Sequence, residues 1–506
     1  MNSSLNAARR ARELAELAGG RTVDLLVVGL GATGAGVALD AASRGLSVAA
    51  VDAFDLAFGT SRWSSKMVHG GLRYLARGQV GVAHESAVER GVLLTRTAPH
   101  LVRAQPYLLP LTPEVSRLQA ATVMAGYRLG DGLRATARTP RRLLPGPSRI
   151  PAARARELAA PLRADGLRGA LLSWDGRLVD DARLVVALAR TAAAHGARVL
   201  TRCRALELDG REARVRDELT GQTFTVRARA VVNATGVWAS GLDPDIRLCP
   251  SRGTHLVLRP ETLPGLRTGL HVPIPGTVNR FALVLPQPDG RVYVGLTDEP
   301  VEGPLPDVPQ APEEDVALLL ELLNSVLETA LRREDVAGAF AGLRPLLAAG
   351  GHTADLSRRH ALLTSPNGVI TVVGGKLTTY RRMAQDAVDL AVRSRGLAAG
   401  PGRTARLPLV GHLPAGAAAR DRLTERYGSE AGAVRALIAH DPALAEPLPT
   451  GITLAELVWA VRHEGALDAG DLLDRRTRIG LVPRDREAAL PAARTALAYP
   501  DGPAST

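Results

Sequence analysis

Cysteine is scarce in this chain, and its scarcity excludes several classes of protein. The 506 residues include two cysteines, Cys203 and Cys249. Two thiols cannot build a disulfide-rich scaffold or a cysteine-ligated metal cluster, so we predict no metal site. A reducing compartment fits this composition.

Long apolar runs are also missing from the sequence. No stretch of 18 or more apolar residues occurs, so we expect no membrane-spanning helix. The first twenty residues mix arginine with glutamate and lack the apolar centre of a secretory signal. We therefore expect a cytoplasmic protein that is either soluble or attached peripherally to the inner face of the membrane.

Lysine is rare in a chain that is otherwise rich in positive charge. Of the 63 basic residues, Lys66 and Lys376 are the two lysines, and the net charge is +12. A GC-rich coding bias explains the excess of arginine. Lysine carries a compact ammonium charge whose pKa shifts readily with its surroundings, whereas arginine carries a planar guanidinium that stays charged and presents paired donors. Because arginine is used almost everywhere else, we expect both lysines to lie close to the reacting groups of a functional site.

Aromatic residues are few, at 5 Phe, 7 Tyr and 4 Trp. The net charge alone would be compatible with nucleic-acid binding. Nucleic-acid-binding proteins combine clustered basic residues with recognisable motifs, and this chain has neither aromatic interleaving nor a basic-helix motif. We therefore expect no nucleic-acid partner.

A βαβ pattern with a glycine-rich turn opens the chain. A nearly continuous apolar run at 22–28 predicts a buried parallel strand, and a second strand is predicted at 47–51. The dinucleotide fingerprint associated with these strands consists of Gly29, Gly31, Gly34 and Asp52. The three glycines permit a tight turn, close approach of a pyrophosphate and close packing of helix on strand, and the acid accepts a ribose hydroxyl. This context predicts a Rossmann-like nucleotide site.

Six further motifs have a more specific pattern. They are GTSRWSSKMVHGGLRYL at 59–75, VDDARL at 179–184, NATGVW at 233–238, GLRPL at 342–346, SRR at 357–359 and GGKLTTYR at 374–381. Together they closely resemble the FAD-dependent glycerol-3-phosphate dehydrogenases, of the aerobic type, in the D-amino-acid-oxidase-like flavoprotein superfamily. The resemblance extends from Val23 to the Arg475-Arg476-Thr477-Arg478 segment, and both lysines lie within it.

The resemblance implies an enzyme that oxidises sn-glycerol 3-phosphate to dihydroxyacetone phosphate by hydride transfer to FAD. Its electrons would pass to a membrane quinone, which requires contact with the membrane surface. Two alternatives remain open: an oxidase that uses oxygen and releases hydrogen peroxide, and a flavin-binding protein without turnover. A homodimer is compatible with the sequence.

Strand patterns return late in the chain, at 223–233 and 369–373, so the first domain is predicted to be discontinuous. We predict an α/β fold with a Rossmann-like FAD-binding domain, a mixed α+β substrate or cap domain, and a C-terminal helical domain. The predicted boundaries are 1–20 for an N-terminal extension, 21–95, 170–245 and 350–396 for the FAD-binding domain, 96–169 and 246–349 for the cap domain, 397–417 for a linker and 418–506 for the helical domain.

The chemistry of such an enzyme indicates which side chains matter. A base must accept the hydroxyl proton, a positive charge must stabilise the reduced flavin, and arginine forks suit a phosphate dianion. We predict the catalytic residues His69, His255, Arg344 and Lys376. We predict substrate contacts from Arg73, Tyr74, Arg344 and Arg358.

We expect FAD to be bound non-covalently by the glycine-rich turns and the hydroxyl-rich loop. Lys66 is predicted either to contact the flavin or to order this loop. The other predicted cofactor residues are Gly29, Gly31, Gly34, Asp52, Thr60, Ser61, Ser64, Ser65, Gly70, Gly71, Thr235, Gly236, Gly374, Gly375, Lys376, Leu377, Thr378 and Thr379.

Residues 128–156 form the most basic segment. They contain eight arginines and one acid, Asp131, and four prolines interrupt any long helix. Arginine near a bilayer attracts anionic lipid. We predict that this segment contacts the membrane, and the alternative is a solvated basic loop.

Overall fold

A computed structural model of the chain describes residues 2–75, 78–277, 280–348, 360–417 and 421–500. The α-helices are α1 Ala7–Ala18, α2 Ala32–Ser43, α3 Leu72–Leu75, α4 Val80–Val92, α5 Arg117–Thr136, α6 Ala152–Leu158, α7 Asp181–Ala194, α8 Ala239–Leu242, α9 Glu313–Asn324, α10 Tyr380–Arg395, α11 Arg422–Tyr427, α12 Ala431–His440, α13 Leu454–His463 and α14 Pro483–Ala498. The strands are β1 Val23–Val28, β2 Val48–Val51, β3 Met67–Val68, β4 Val102–Pro110, β5 Ser148–Ile150, β6 Ala170–Leu178, β7 Arg198–Leu200, β8 Cys203–Leu208, β9 Glu212–Asp217, β10 Thr223–Asn233, β11 Ser251–Leu258, β12 Gly269–Pro273, β13 Phe281–Pro286, β14 Val292–Gly295, β15 Glu299–Pro300, β16 Val336–Arg344, β17 His360–Thr364 and β18 Ile370–Gly374.

The first sheet contains the predicted nucleotide-binding strands. Its parallel core has the order β18-β10-β1-β2-β7, and β17 joins antiparallel at the β18 edge. Along the central strand β1, Leu25 and Val27 pack with α2, α7 and α10, whereas Leu26 and Val28 pack into the core on the opposite face with Leu17 of α1. Burial on both faces explains the continuous apolar run of β1. The predicted α/β fold is confirmed.

A second, mixed sheet forms the cap. Its order is β15-β11-β14-β13-β12-β4-β6-β3, with β16 beside β11 and β5 beside β6, and α9 packs on one of its faces. Strand β6 differs from the prediction, because residues 170–178 were assigned to the first domain. In the structure β6 pairs antiparallel with β4 from Val102–Leu178 to Pro110–Ala170. Alternation in a sequence predicts a strand but does not identify its partner, and β6 joins the second sheet.

The N-terminal extension is an integral part of the fold. Helix α1 begins at its cap Asn6 and buries Leu17 under the first sheet. Arg10 of α1 forms a buried ion pair with Asp217 of β9. The Leu5 amide donates to the His463 carbonyl of the C-terminal domain over 3.0 Å. Residues 1–20 therefore join the first domain to the last.

The predicted linker also packs against the first domain. Leu397 and Leu409 are buried in the core that contains α2 and α10, and the Leu409 amide donates to the Thr97 carbonyl over 2.9 Å. Helices α11 to α14 follow it with a core of their own. The C-terminal helical domain is therefore as predicted.

The arginine-rich segment is more helical than its prolines indicated. Helix α5 has 20 residues and ends at Thr136, four residues before Pro140. Residues 137–156 contain the short β5 and the start of α6, as the prolines led us to expect. Among the described residues, none of the helices combines the length and the apolarity needed to cross a bilayer.

Candidate active site

A cavity of about 530 Å³ lies between the two sheets. One wall consists of the turns that follow β1, β2, β10 and β18, and the other consists of β11, β16 and the loop 59–69. Open parallel sheets bind nucleotides at the carboxyl ends of their strands. The cavity therefore occupies the place where the fold predicts a cofactor.

The fingerprint glycines are required by close contacts at this edge. A Cβ on Gly29, whose φ is +99°, would lie 2.7 Å from the Ala234 carbonyl oxygen, and one on Gly34 would lie 1.8 Å from the Gly29 carbonyl oxygen. Gly31 lines the cavity at the start of α2, and the Ala32 amide there donates to Ser61 Oγ over 2.8 Å. A helix N-terminus with a glycine that leaves room for close approach fits a pyrophosphate.

Asp52 lies at the end of β2 and lines the same cavity. Its Oδ2 accepts from the Leu30 amide over 2.6 Å, and its Oδ1 accepts from the Phe54 amide over 2.8 Å. Burial raises the pKa of Asp52 to about 6 although both amides oppose this shift. Each oxygen retains a second lone pair. The geometry is thus compatible with the predicted bond from a ribose hydroxyl.

The four predicted hydroxyl residues all line the cavity, but their hydroxyl groups have different partners. Ser61 Oγ lies at the N-terminus of α2, as described above. Thr60 Oγ1 donates to the Leu343 carbonyl over 2.7 Å, and Ser64 Oγ donates to Asp181 Oδ2 over 2.7 Å. Ser65 Oγ lies 2.9 Å from His255 Nε2. The last three residues connect the loop to its surroundings, which leaves Ser61 nearest the expected phosphate position.

Lys66 is buried and does not line the cavity. Its Nζ donates to Asp181 Oδ2 over 2.9 Å and to the Arg62 carbonyl over 2.9 Å. Burial lowers the pKa of Lys66 to about 8, and the Asp181 carboxylate opposes this effect. Of the two predicted roles, the geometry favours ordering of the loop.

Lys376, the other lysine, does line the cavity. It follows Gly374 and Gly375, whose φ angles are +77° and +72°. Its Nζ donates to Ser86 Oγ over 2.8 Å and lies 3.7 Å from the centre of the Tyr74 ring. This lysine is therefore held at the cavity wall with its charge against an aromatic face.

His69 is the more exposed of the two predicted histidines, with 44% of its side chain accessible. Its Nδ1 lies 3.6 Å from Asp175 Oδ2, and Arg90 Nη1 lies 2.6 Å from Asp175 Oδ1. Burial raises the pKa of Asp175, but Arg90 and His69 outweigh it and hold that pKa far below its usual range. His69 therefore faces a carboxylate that stays ionised.

His255, on β11, has different surroundings. It is buried, its ring stacks on Phe340 with centroids 4.8 Å apart, and its Nδ1 has no hydrogen-bond partner among the described residues. Burial first, and then the charges of Lys66 and Arg344, lower the pKa of His255 to about 3. This histidine is neutral at pH 7.

Arg344 ends β16 and lines the cavity. Its Nη1 donates to Asp298 Oδ1 over 2.9 Å and to Ser251 Oγ over 3.0 Å, and its Nη2 donates to the Thr297 carbonyl over 3.0 Å. A Cβ on Gly253 would lie 2.0 Å from Nη2, so the glycine makes room for the guanidinium. The plane of this group is fixed.

The remaining predicted residues divide into three groups. The further residues that line the cavity are Thr235, Gly236, Leu377 and Thr378. Those that lie behind the cavity wall are Gly34, Gly70, Gly71, Tyr74 and Thr379. Gly70 packs against Arg90 and Gly71 has a φ of +84°, so both are needed by the loop itself. Arg358 and the side chain of Arg73 lie outside the described residues.

Sequence reasoning missed Asp175 and the aromatic lining. The aromatic residues at the cavity are Phe54, Phe58, Trp63, Trp238 and Tyr380. Phe54 and Phe58 stack with centroids 3.9 Å apart, and the guanidinium of Arg204 lies 4.9 Å from the centre of the Phe54 ring. The rarity of aromatic residues was an available signal, because the same argument had singled out the lysines. Asp175 has no such signal.

The family comparisons agree with this geometry. Residues 24–381 match the model for "FAD dependent oxidoreductase", and residues 370–499 match the model for "C-terminal domain of alpha-glycerophosphate oxidase". The chain belongs to the FAD-dependent oxidoreductase family. Its cofactor is FAD, and the cavity, the glycine turns and the start of α2 fit that group.

Several relatives of this oxidoreductase are glycerol-3-phosphate dehydrogenases. It is 54% identical over 501 residues to glycerol-3-phosphate dehydrogenase 1 of Mycobacterium tuberculosis, covering 96% of this chain and 97% of the relative. It is 37% identical over 514 residues to glycerol-3-phosphate dehydrogenase 2 of the same organism, covering 95% and 84%. The crystal structure of a glycerol-3-phosphate dehydrogenase from Bacillus halodurans complexed with FAD aligns with a TM-score of 0.75 at 27% identity, over 98% of this chain and 95% of that one. The resemblance read from the motifs is confirmed.

Proposed function

We propose that this oxidoreductase oxidises sn-glycerol 3-phosphate to dihydroxyacetone phosphate and passes the electrons to a membrane quinone. The observation that carries the proposal is the convergence of Arg344, Lys376, His69 and His255 on the cavity whose opposite end has the nucleotide fingerprint. The printed names of the relatives support the substrate. When bound, FAD accepts the hydride from the substrate carbon.

The proton acceptor in this proposal is His69. Oxidation of the alcohol releases a hydroxyl proton, and the group that takes it becomes positively charged. A positive charge on His69 would face the ionised Asp175, whose Oδ2 lies 3.6 Å from Nδ1. A positive charge on His255 would be buried beside Lys66 and Arg344. We therefore assign to the neutral His255 a hydrogen bond to the substrate.

The phosphate dianion in this proposal binds to Arg344 and Lys376. An arginine with a fixed plane presents its donors in the fork geometry that suits phosphate oxygens. The bonds to Asp298, Ser251 and Thr297 supply that fixed plane. The lysine adds a point charge.

The division into domains is also part of the proposal. We assign cofactor binding to the part of the chain with the first sheet and substrate binding to the part with the second. Strand β6, which contains Asp175, belongs with the substrate part because of its pairing with β4. This assignment differs from the predicted boundaries at residues 170–178.

Contact with the membrane would bring this enzyme to its quinone. Helix α5 exposes Leu118 and Leu129, with 78% and 63% of their surfaces accessible. Arg117 and Arg128 are exposed beside them on the same helix. Two leucines flanked by arginines suit an anionic bilayer, since apolar side chains can insert while each arginine contributes about 1 kcal/mol.

An anaerobic half-reaction tests the proposed activity. We expect glycerol 3-phosphate to bleach the flavin of the holoenzyme in a stopped-flow experiment. A quinone analogue should then reoxidise it faster than oxygen does. Faster reoxidation by oxygen, with peroxide formed in proportion to substrate, would establish the oxidase instead. A flavin that is not bleached by glycerol 3-phosphate would refute both enzymes and leave a flavin-binding protein.

A substitution of the proposed base complements this experiment. We expect His69→Asn to slow anaerobic bleaching on the order of 100-fold or more, because a positioned base contributes about that factor. FAD content should not change. Unaltered bleaching would remove His69 from its assigned role.

A further inference from the structure

The segment 471–478 of the C-terminal domain lies directly behind the loop 52–66, which contributes residues to both walls of the cavity. We propose that this segment retains the cofactor: Arg475, Arg476 and Arg478 hold the loop in the conformation that binds FAD. None of these three arginines lines the cavity, so they are positioning residues. The inference depends on the family's cofactor and not on the proposed substrate.

Asp55 is the central contact. It is fully buried, three residues after Asp52. Arg475 Nε donates to Asp55 Oδ2 over 2.6 Å, and Arg476 donates from Nη1 over 2.7 Å and from Nη2 over 2.9 Å. Charge-assisted bonds with this multiplicity fix a position more firmly than single neutral ones. The loop is therefore anchored immediately after the ribose-binding position.

The same arginines support the aromatic residues of the loop from behind. Arg475 Cζ lies 5.5 Å from the centre of the Phe58 ring, and Arg478 Cζ lies 5.2 Å from that of Trp63. Arg478 also donates to the Arg62 carbonyl. Phe58 and Trp63 line the cavity, so each aromatic ring has a C-terminal guanidinium next to it and the cofactor space on its cavity side.

A second attachment fixes the neighbouring wall. Arg202, in the turn between β7 and β8, donates from its amide to the Phe54 carbonyl over 2.7 Å and from Nη2 to Asp471 Oδ1 over 2.7 Å. Two residues later, Arg204 lies over Phe54 and lines the cavity. Asp471–Arg476 forms a π-helical turn, a rare geometry that is frequent at functional sites.

The cost of separating buried charges couples the conformation of the loop to its contact with the C-terminal domain. Asp55 and Arg476 are both inaccessible to water, so a loop that moved away would leave opposite charges buried and unpaired. Leaving one such charge unpaired is strongly destabilising. The loop therefore keeps the conformation in which its other side faces the cavity, and the C-terminal domain determines that conformation.

A pair of matched substitutions tests this role in the full-length holoenzyme. Arg475→Lys alters the contact behind the loop. Arg190→Lys alters a second junction between the same domains, away from the cavity, where the buried Arg190 of α7 donates from Nη1 and from Nη2 to the carboxylate of Glu430. We expect both variants to lower the melting temperature of the apoprotein. Arg475→Lys alone should raise the FAD dissociation constant, on the order of tenfold, because it alone releases the cofactor loop.

The readouts separate cofactor retention from general stability and from catalysis. FAD affinity is measured by quenching of flavin fluorescence, and the apo and holo melting temperatures are compared for each variant. At saturating FAD, the KM for glycerol 3-phosphate should stay near the parent value in Arg475→Lys. Equal loss of FAD affinity in both variants, or no loss in Arg475→Lys, would overturn the inference.

A second variant covers the case in which Arg475→Lys does not fold. Arg478→Lys removes contacts to Trp63 and to the Arg62 carbonyl and leaves the Asp55 pairs in place. We expect it to weaken FAD binding. We also expect the bound flavin to be held less firmly, which lowers its fluorescence polarisation. Parent-like FAD binding in this variant would also refute the inference. FAD affinity, flavin polarisation and melting temperature are all measured without turnover, so failure of the proposed substrate would not be mistaken for failure of the C-terminal contact.

Discussion

Arg344→Lys keeps a positive charge at the end of β16 but replaces a planar group with a single nitrogen. Arg344 uses two terminal nitrogens for bonds to Asp298, Ser251 and the Thr297 carbonyl, at 2.9 to 3.0 Å. One ammonium cannot occupy both positions, so at least one bond is lost together with the fixed plane. The substitution therefore tests orientation separately from charge.

The magnitude follows from the contacts. A hydrogen bond to a charged group contributes about 1.5–3 kcal/mol. If Arg344 also binds the substrate phosphate through its fork, we expect kcat/KM to fall by about 2–4 kcal/mol, or roughly 30- to 1000-fold. The bond to Asp298 joins β16 to the segment after β14, so the melting temperature should fall by a few degrees as well. FAD content should not change.

Steady-state kinetics with glycerol 3-phosphate and with plain glycerol provide the assay. Arg252→Lys is the matched control, because Arg252 lies on the neighbouring strand β11, pairs with Asp315 of α9 and does not line the cavity. The reasoning is refuted if Arg344→Lys leaves kcat/KM unchanged or if the control loses as much. An equal loss for both substrates would instead assign Arg344 to the reacting hydroxyl.

Three further predictions concern the cofactor, pH and the membrane. Gly31→Ala places a Cβ 2.9 Å from Ser61 Oγ at the pyrophosphate position, so FAD affinity should fall on the order of tenfold, about 1.4 kcal/mol; unchanged flavin absorbance after purification would contradict this. Burial lowers the pKa values of His100 and His255 to about 3 in the folded protein, against 6.5 in the unfolded chain. The unfolded chain therefore binds their protons first, and the free energy of unfolding falls from pH 6.5 towards pH 3, by about 2 kcal/mol per histidine at pH 5. In chemical denaturation at pH 7 and pH 5, His100→Gln should lose less unfolding free energy between the two pH values than the parent does. Replacing Leu118 and Leu129 together with serine should reduce co-sedimentation with anionic vesicles, and parent-like binding would exclude α5 as the contact.

The parts of the site that the sequence predicted are those where one local segment fixes the geometry. Gly34 is constrained by the Gly29 carbonyl oxygen within the same βαβ turn, and Gly29 has a positive φ that this tight turn requires. Lys376 lies in a turn that follows a recognisable buried strand. In these cases, the motif and its spacing contain nearly all of the relevant geometry.

The parts that the sequence did not predict depend on partners far along the chain. Lys66 is oriented away from the cavity by Asp181, 115 residues later. Asp175 reaches His69 because β6 pairs with β4 and β3, and alternation alone does not identify those partners. The ordered helix α1 depends in the same way on its contacts with β9 and the C-terminal domain. Pairings of this kind depend on the tertiary fold and not on local propensity.

The distance along the chain between Asp55 and its arginines has a consequence for biosynthesis. Asp55 meets Arg475 and Arg476 across 420 and 421 residues. At about 5–20 residues per second, roughly 20 to 80 s separate the synthesis of the acid from that of its partners. Until then the carboxylate has no counter-charge from the C-terminal domain, and burying it alone would be unfavourable. The buried position of Asp55, and with it the final form of this part of the cavity wall, can therefore be reached only after residues 475 and 476 have been synthesised.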